Sequence, residues 1–144
     1  MSKRIEIRNK IKELVETMPD FQAGNVQLYK LDNVDRTPFA SVYLDRMTSD
    51  PDAMASNGDS YNVDRSLRVA VDFHLDKSTL DADADMDAWL SELEFIIMQA
   101  AEARELPRNM ALESAQFRPL ETSRERKGDL VTIWRADYDE WVSA

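Results

Sequence analysis

The side chains of this chain that could do chemistry are concentrated in one acidic segment. Aspartates alternate there with small or apolar residues, and a glutamate stands at the twelfth position: Asp81, Asp83, Asp85, Asp87 and Glu92. These are the offsets at which a calcium-binding EF-hand loop presents its oxygen ligands. The sixth position of such a loop normally holds a glycine that permits a sharp turn, whereas here it is Met86. A calcium loop is therefore one of two interpretations of this segment.

The second interpretation is that the same segment begins an amphipathic helix. Its apolar residues recur at helical spacing: Met86, Trp89, Leu90, Leu93, Ile96, Ile97 and Ala100. Carboxylates two residues apart on a helix point in different directions and cannot converge on one ion. Aspartates at a helix start instead complement the positive end of the helix dipole. The pattern favours an acidic helix start, and weak divalent cation binding, by this cluster or by Asp45, Asp50 and Asp52, is the remaining possibility.

Residues suited to nucleophilic or general-base catalysis are scarce. The chain has no cysteine, and its single histidine, His74, lies beside Asp72 on the polar face of a predicted strand, where a surface or interface role is expected. The three glycines, Gly24, Gly58 and Gly128, are too scattered to form a phosphate-cradling loop. No serine has the setting of a nucleophile elbow. The sequence predicts a protein that is not an enzyme and has no cofactor.

Composition limits the partners that the protein can have. The 144 residues fit one domain, 1–144, and a hydrophobic fraction of 43% is enough for a core. The net charge of −10, from 28 acidic against 18 basic residues, argues against binding a phosphate backbone. It permits a wall past which DNA slides, although an aid to solubility is the simpler explanation. The charged N-terminus and the lack of an apolar run of about 18 residues predict a protein made in the cytoplasm without a membrane span.

Periodicity predicts the elements that must position these residues. Two helices cover residues 3–18 and the segment from 81 to the vicinity of Pro107, and strand candidates cover 26–31, 37–44, 67–75, 111–120 and 130–141, with a turn-rich segment at 122–129. In the clearest strand, Leu67 to Leu75, apolar and polar residues alternate, which indicates half burial in an antiparallel sheet. The order of elements predicts an α+β fold. We expect a two-layer sandwich in which two amphipathic helices pack on one face of a mainly antiparallel, four- to five-stranded sheet.

The segment 45–59 has almost no apolar periodicity and contains Pro51 and Gly58. It is typical of a mobile acidic loop or a loosely formed hairpin tip, and we expect it to become ordered on contact with a partner. Four residues in or near its root are candidate interface residues: Arg46, Met47, Asp50 and Asp52. Trp141, close to the C-terminus among polar residues, is a fifth candidate, whereas Trp134 and Tyr138 fit either an interface or the core beneath the helices.

The ordered pieces resemble the minor tail protein U family, the tail terminators of long-tailed bacteriophages. The pieces that carry the resemblance are the amphipathic helix Ile5–Val15, the proline-led strand Thr37–Leu44, the acidic loop after it, the strand Leu67–Leu75, the helix start Asp85-Met86-Asp87-Ala88-Trp89-Leu90, and a closing strand that ends near Tyr138. They span most of the chain. The helix start with Asp-Ala-Trp and the proline-led strand are the most distinctive of them.

This resemblance implies a sheet backed by two helices and a homo-oligomeric ring, typically of six subunits. Such a ring caps the phage tail tube, stops its polymerisation and offers a surface to a head-completion or neck protein. DNA passes through it without specific binding, and its place is the virion tail, after assembly in the host cytoplasm. A head–tail joining or other neck protein is the nearest alternative. An acidic calcium-binding interaction module is an alternative of a different class.

Overall fold

The computed structural model describes residues 2–22, 25–28, 38–58, 60–76, 82–122 and 125–143, with the backbone alone at 51–57, 76, 82, 119–122 and 125–127. The elements follow one another along the chain as helix α1 (Lys3–Glu16), a 3-10 turn (Pro19–Phe21), strands β1 (Val26–Gln27), β2 (Phe39–Asn57) and β3 (Ser60–Asp76), helix α2 (Ala82–Glu102), and strands β4 (Asn109–Thr122) and β5 (Glu125–Ser143). The predicted α+β fold is confirmed.

The five strands form one mixed sheet in the order β1-β2-β3-β5-β4. The short strand β1 runs parallel to β2, and every other pair in the sheet is antiparallel. Strands β2 and β3 form a long hairpin that turns at Gly58, whose φ of +63° is a left-handed conformation that favours glycine. The predicted antiparallel character therefore holds for all but one strand pair.

Both helices pack on the same face of this sheet. Strand residues two apart share a face, and the apolar positions of β3 and its neighbours that face the helices are buried: Val42, Leu67, Val69, Val71, Phe73, Leu130, Trp134 and Ala136. They meet the buried stripes of the two helices: Ile7, Ile11 and Val15 of α1, and Met86, Trp89, Leu93 and Ile97 of α2. Burial of these stripes, more than intrinsic helix propensity, holds the helices in place.

Helix α1 begins at Lys3, as the sequence predicts, and ends at Glu16, two residues before the predicted end. The Ser2 hydroxyl accepts a hydrogen bond from the backbone N–H of Ile5 at 3.4 Å and caps the N-terminus. The helix ends at Glu16 and the chain turns at Pro19, because a residue before proline is disfavoured in a helical conformation. The turn then places Asp20 where its carboxylate accepts a hydrogen bond of 2.8 Å from the indole N–H of Trp89 on α2.

Helix α2 has 21 residues, yet none of the helices in the described ranges is apolar enough over a sufficient length to cross a membrane. It ends in a Schellman motif: the N–H of Glu105 donates to the carbonyl of Ala100 at 2.9 Å, and the N–H of Arg104 donates to the carbonyl of Ala101 at 3.1 Å. Arg104 has a φ of +62°. This position is usually glycine, since a Cβ atom is strained in the left-handed conformation.

Replacing Arg104 by glycine should raise the free energy of unfolding by about 1 kcal/mol, because it removes that strain. Urea denaturation followed by circular dichroism measures the change. Arg108→Gly is the matched control: it removes an exposed arginine of the same turn whose φ is not positive. That control should bring no gain, and an equal gain in both variants would contradict the assignment of strain to Arg104.

Two predicted irregular segments are wrong. Residues 45–57, predicted as part of a loop, belong to β2, which is 19 residues long and pairs with β3 up to Asp50 and again from Ala55, with an irregularity in the register between these two residues. Only the hairpin turn at Gly58 matches the alternative of a hairpin tip. Residues 125–129, predicted as part of a turn, are the first residues of β5. Wherever these two segments have register partners, a neighbouring strand supplies the hydrogen bonds that the local sequence does not suggest.

The helix-free face of β3 also departs from the prediction of a half-buried strand. Ala70 and Asp72 on this face are as buried as the core, with exposures of 0% and 1%. Ser41, the neighbour of Asp72 on β2, is fully buried as well. A buried carboxylate must be held by hydrogen bonds, and the phenol of Tyr43 supplies one at 2.8 Å.

Candidate functional site

The sheet continues beyond the helices as a three-stranded arm, which we define as residues 48–57 of β2, 60–66 of β3 and 137–143 of β5. Strand β4 begins at Asn109, opposite Asp137, so it reaches only the first of the β5 residues in the arm. Val63 is the one described side chain of the arm that is buried, and Tyr138 packs against the edge of the core with the Nζ atom of Lys3, at the start of α1, 5.3 Å from its ring centre. The end of the arm therefore presents two sheet faces with exposed side chains and two strand edges.

Large apolar side chains are exposed at the end of the arm. Tyr61 and Val142 are cross-strand neighbours on the helix-side face, with exposures of 47% and 39%. Trp141 opposes Asn62 on the other face and is 56% exposed. Exposed aromatic residues are characteristic of protein interfaces, and Trp141 therefore keeps its predicted place as an interface candidate.

A row of arginines crosses the helix-free face where the arm begins. Arg46, Arg68 and Arg135 are direct neighbours on β2, β3 and β5. Glu113, the extra residue of a bulge in β4, accepts two hydrogen bonds from the guanidinium of Arg68, at 2.9 and 3.2 Å. These bonds lower the pKa of the Glu113 carboxyl. The arginine row is thus partly neutralised from within the chain.

A row of aspartates lies on the same face, four residues farther along each strand. Asp50, Asp64 and Asp139 are direct cross-strand neighbours, and all three are exposed. Like charges placed opposite each other destabilise a sheet by a few tenths of a kcal/mol to about 1 kcal/mol. We call these three residues the aspartate row. It borders a groove of about 670 Å³ that is also lined by Asn109 and Asp137.

The structure places the predicted interface residues on the two faces of this region. Three of them lie on the helix-free face: Arg46, Asp50 and Trp141. Each is directly opposite a residue of β3 whose side chain is on that face. Met47 lies on the opposite face, where its sulfur accepts a 3.9 Å contact from the hydroxyl of Tyr138. For Asp52 the backbone alone is described, within β2. Their role in an interface stays a prediction.

The predicted metal ligands do not form a loop site where the structure describes them. Asp83, Asp85 and Asp87 are exposed in the first turns of α2, as the interpretation of an acidic helix start predicts. Asp81 lies outside the described residues. Among the side chains that are described, no group of three or more acids and histidine is arranged to hold a metal ion. Weak divalent cation binding stays a prediction.

A histidine–aspartate pair on the helix-free face is the arrangement closest to catalysis. The Nδ1 atom of His74 lies 2.6 Å from the Oδ1 atom of Asp129, its register partner on β5. A serine nucleophile would have to hydrogen-bond the other ring nitrogen. Ser41 is close in the sheet, but neither its hydroxyl nor the Nε2 atom of His74 has a hydrogen-bond partner among the described residues. Ser41 is also fully buried, which keeps it from a substrate.

Sequence reasoning missed Tyr43, Asp129 and the aspartate row. Each depends on which residues face one another across strands, and this register is not visible in the separate segments. The pairing of Tyr43 with Asp72 has a measurable signature: burial first, and then the hydrogen bond to Asp72, raise the pKa of the Tyr43 phenol far above its ordinary value.

Neither a protein-family model nor a curated protein matches the chain. Among solved structures, a chain of the "Virion of native gene transfer agent (GTA) particle" is similar, with a TM-score of 0.35 and 15% sequence identity. The similarity covers 94% of this chain and 90% of that chain.

Proposed function

We propose that the chain is a structural subunit of a bacteriophage tail, and specifically a tail terminator whose ring caps the tail tube. The resemblance of its ordered segments to the minor tail protein U family supports this, and the chain has the sheet with two helices on one face that the resemblance implies. The observation that carries the proposal is the arm. An extension of three long strands whose end exposes Tyr61 and Trp141 is suited to contacts with other subunits.

A ring requires two different surfaces that fit each other on neighbouring copies. The arm supplies one candidate, and the outer edge of β4 supplies another, since within the described residues β4 pairs only with β5. A contact between such unlike surfaces closes into a ring when the rotation between copies is right. One face of that ring then stops growth of the tube protein, and the other meets a head-completion or neck protein.

The charge of the chain fits a ring through which DNA passes. Six copies carry a formal charge of −60, six times the −10 of one chain. The aspartate row places part of this charge on the helix-free face, and like charge repels a phosphate backbone rather than binding it. A ring whose channel is lined by arginines would contradict this arrangement. We place the proposed ring in the virion tail, after assembly in the host cytoplasm.

The same subunit is proposed to have no catalytic activity and no cofactor. Support comes from the buried Ser41 and from the exposed aspartates of α2, which stand on a helix rather than in a ligand loop. A head–tail joining protein would use the same ring geometry and differs in what it contacts. Binding to isolated tail tubes separates the two, because only a terminator caps a tube in the absence of heads.

The purified protein should form rings of tail-tube width at high concentration, seen by negative-stain microscopy and by light scattering. Trp141→Ala should shift assembly to about thirtyfold higher concentration, the effect of losing about 2 kcal/mol at an interface centre. Phe95→Ala is the matched control, because Phe95 is an aromatic residue that is 63% exposed on α2, away from the arm. Repeating both measurements with magnesium tests the predicted weak cation binding.

Three outcomes would count against this proposal. The first is a strict monomer at every concentration, with or without tail tubes. The second is assembly of the Trp141→Ala protein at the parent concentration. The third is an equal loss in the Phe95→Ala protein, since this would show that the arm has no special part in assembly. Circular dichroism of each variant verifies that the fold is retained.

A further inference from the structure

The arm leaves one strand edge open beside the aspartate row. Strands β3 and β5 pair without interruption to Ser60 and Ser143, whereas β4 ends its pairing with β5 at Asn109, opposite Asp137. Within the described residues, 138–143 of β5 therefore have a strand neighbour on one side only. This open edge is six residues long, about 20 Å, and continues the line of β4. An edge of this kind accepts an added strand through main-chain hydrogen bonds.

The side chains along this edge differ between its two faces. On the helix-free face, Asp139 continues the aspartate row and Trp141 follows it, two residues farther along. On the other face, Glu140 is already held by Arg65, with its carboxylate accepting a hydrogen bond of 3.0 Å, and Val142 is an exposed apolar side chain. An added strand thus meets acid and an aromatic ring on one face and a mostly neutral, apolar surface on the other.

We propose that this edge binds an extended basic segment of another protein, which adds as a sixth strand beside residues 138–143. Its lysine or arginine side chains recur at every second position. One cation lies opposite Asp139, where it extends and neutralises the aspartate row, and the next lies over Trp141, where a cation–π contact stabilises it. The intervening side chains are apolar and pack beside Val142. The inference goes beyond the ring, because a monomer presents the same edge.

Charge selects another protein over a second copy of this chain as the occupant. The two free edges of the arm carry Asp50 and Asp139, so edge-to-edge pairing of two arms would bring like charges together. The chain itself has a net charge of −10, which adds to the repulsion between two arms that meet edge to edge and leaves a contact of the arm with a different surface of a neighbouring copy possible. A basic segment removes the same repulsion. The groove beside the edge, with its volume of about 670 Å³, leaves room for the lysine or arginine side chains.

The test uses the full-length protein and three labelled synthetic heptapeptides in fluorescence anisotropy titrations. One alternates lysine and valine, the second carries glutamate in place of lysine, and the third has the first sequence with every backbone amide N-methylated, which keeps the charge and blocks strand addition through either edge of the peptide. The first peptide should bind, and the other two should bind at least about tenfold more weakly. Hydrogen exchange should show new protection of the backbone at 138–143.

The protein variants make the assignment specific. Asp64→Asn with Asp139→Asn should weaken binding of the lysine peptide about tenfold, the combined effect of two exposed charge contacts. The matched control, Glu92→Gln with Glu94→Gln, removes the same charge from exposed positions on α2 and should change binding less than about twofold. All four positions are exposed, so the fold is retained.

Several results would overturn the proposal: no binding of the lysine peptide, equal binding of its N-methylated form, or an equal loss in the α2 control. Self-association that the aspartate substitutions alter and the peptide does not displace would assign the edge to a second copy instead. The outcome is separable from the ring proposal. Peptide binding can fail while rings form, and rings can fail while the monomer binds the peptide.

Discussion

Trp134→Ala should lower the free energy of unfolding by about 3–5 kcal/mol, the range for truncating a large buried aromatic residue. Trp134 has 0% exposure and lies in the middle of the core on β5. Its indole N–H donates a hydrogen bond of 2.9 Å to the hydroxyl of Thr132, and this hydroxyl donates one of 2.7 Å to the carbonyl of Val71. Alanine leaves a cavity beneath the helices and removes the N–H donor from this series of buried hydrogen bonds.

Urea denaturation followed by circular dichroism measures this loss, and the same strand contains a matched control. Trp141→Ala removes an identical side chain that is 56% exposed, seven residues farther along β5. Its effect on stability should stay within about 0.5 kcal/mol, since exposed substitutions seldom exceed that. Similar losses in the two variants would show that the arm is packed against the core, and the definition of the arm would then be wrong.

Tyr43→Phe should lower the free energy of unfolding by about 2 kcal/mol, although it removes a single oxygen atom. The Tyr43 hydroxyl donates to the carboxylate of Asp72, which is 1% exposed. Loss of one donor to a buried carboxylate costs about 1–3 kcal/mol, because the carboxylate has already lost its hydrating water and no other donor replaces the hydroxyl. Tyr61→Phe removes the same atom from a side chain that is 47% exposed and should have no measurable effect.

The pH dependence of stability provides a second measurement for Tyr43. Its pKa is raised in the folded state, first by burial and then by Asp72, so the folded protein keeps the phenol neutral where the unfolded chain ionises it. The resulting stabilisation is complete below about pH 10 and is lost as the pH rises further. The Tyr43→Phe protein should lose less stability above this pH than the parent. A parallel decline in both would mean that other groups cause it, such as Tyr138, whose pKa burial also raises.

The elements with strong periodicity could be predicted from the sequence. Helix α1, helix α2 and the central part of β3 have apolar stripes at spacings of 3.6 or 2, and the structure buries these stripes together. The proline and glycine signals were correct at Pro19 and at Gly58. From these elements alone, an α+β fold with two helices on one face of the sheet follows.

The segment 45–57 could not be predicted because its strand character does not come from its own residues. It contains Pro51, several aspartates and few apolar side chains, a composition that local rules assign to a loop. Pairing with β3 holds most of it extended, up to Asp50 and again from Ala55, and an arm whose end is exposed on both faces has no need of an alternating apolar pattern. Because this part of the arm has no alternating apolar pattern, a search for amphipathic strands does not detect it.

The candidate site was predicted only in part. Arg46, Asp50 and Trp141 were selected for their residue types, and the structure places them on one face of the same region. The other two members of the aspartate row, Asp64 and Asp139, have no distinguishing pattern in the sequence. They become a row only through the register of β2, β3 and β5, which the bulge in β2 between Leu44 and Arg46 adjusts.

The aspartate row also affects the tendency of the protein to aggregate. An unprotected sheet edge is a template on which identical chains can stack into fibres. Asp50 and Asp139 stand at the two edges of the arm, and Asp64 stands between them. Every growing stack would superimpose these charges copy upon copy. The charge repulsion within the row of one molecule would therefore increase with every copy added to a fibre. This repulsion disfavours stacking of identical arms, although their strand edges are unpaired.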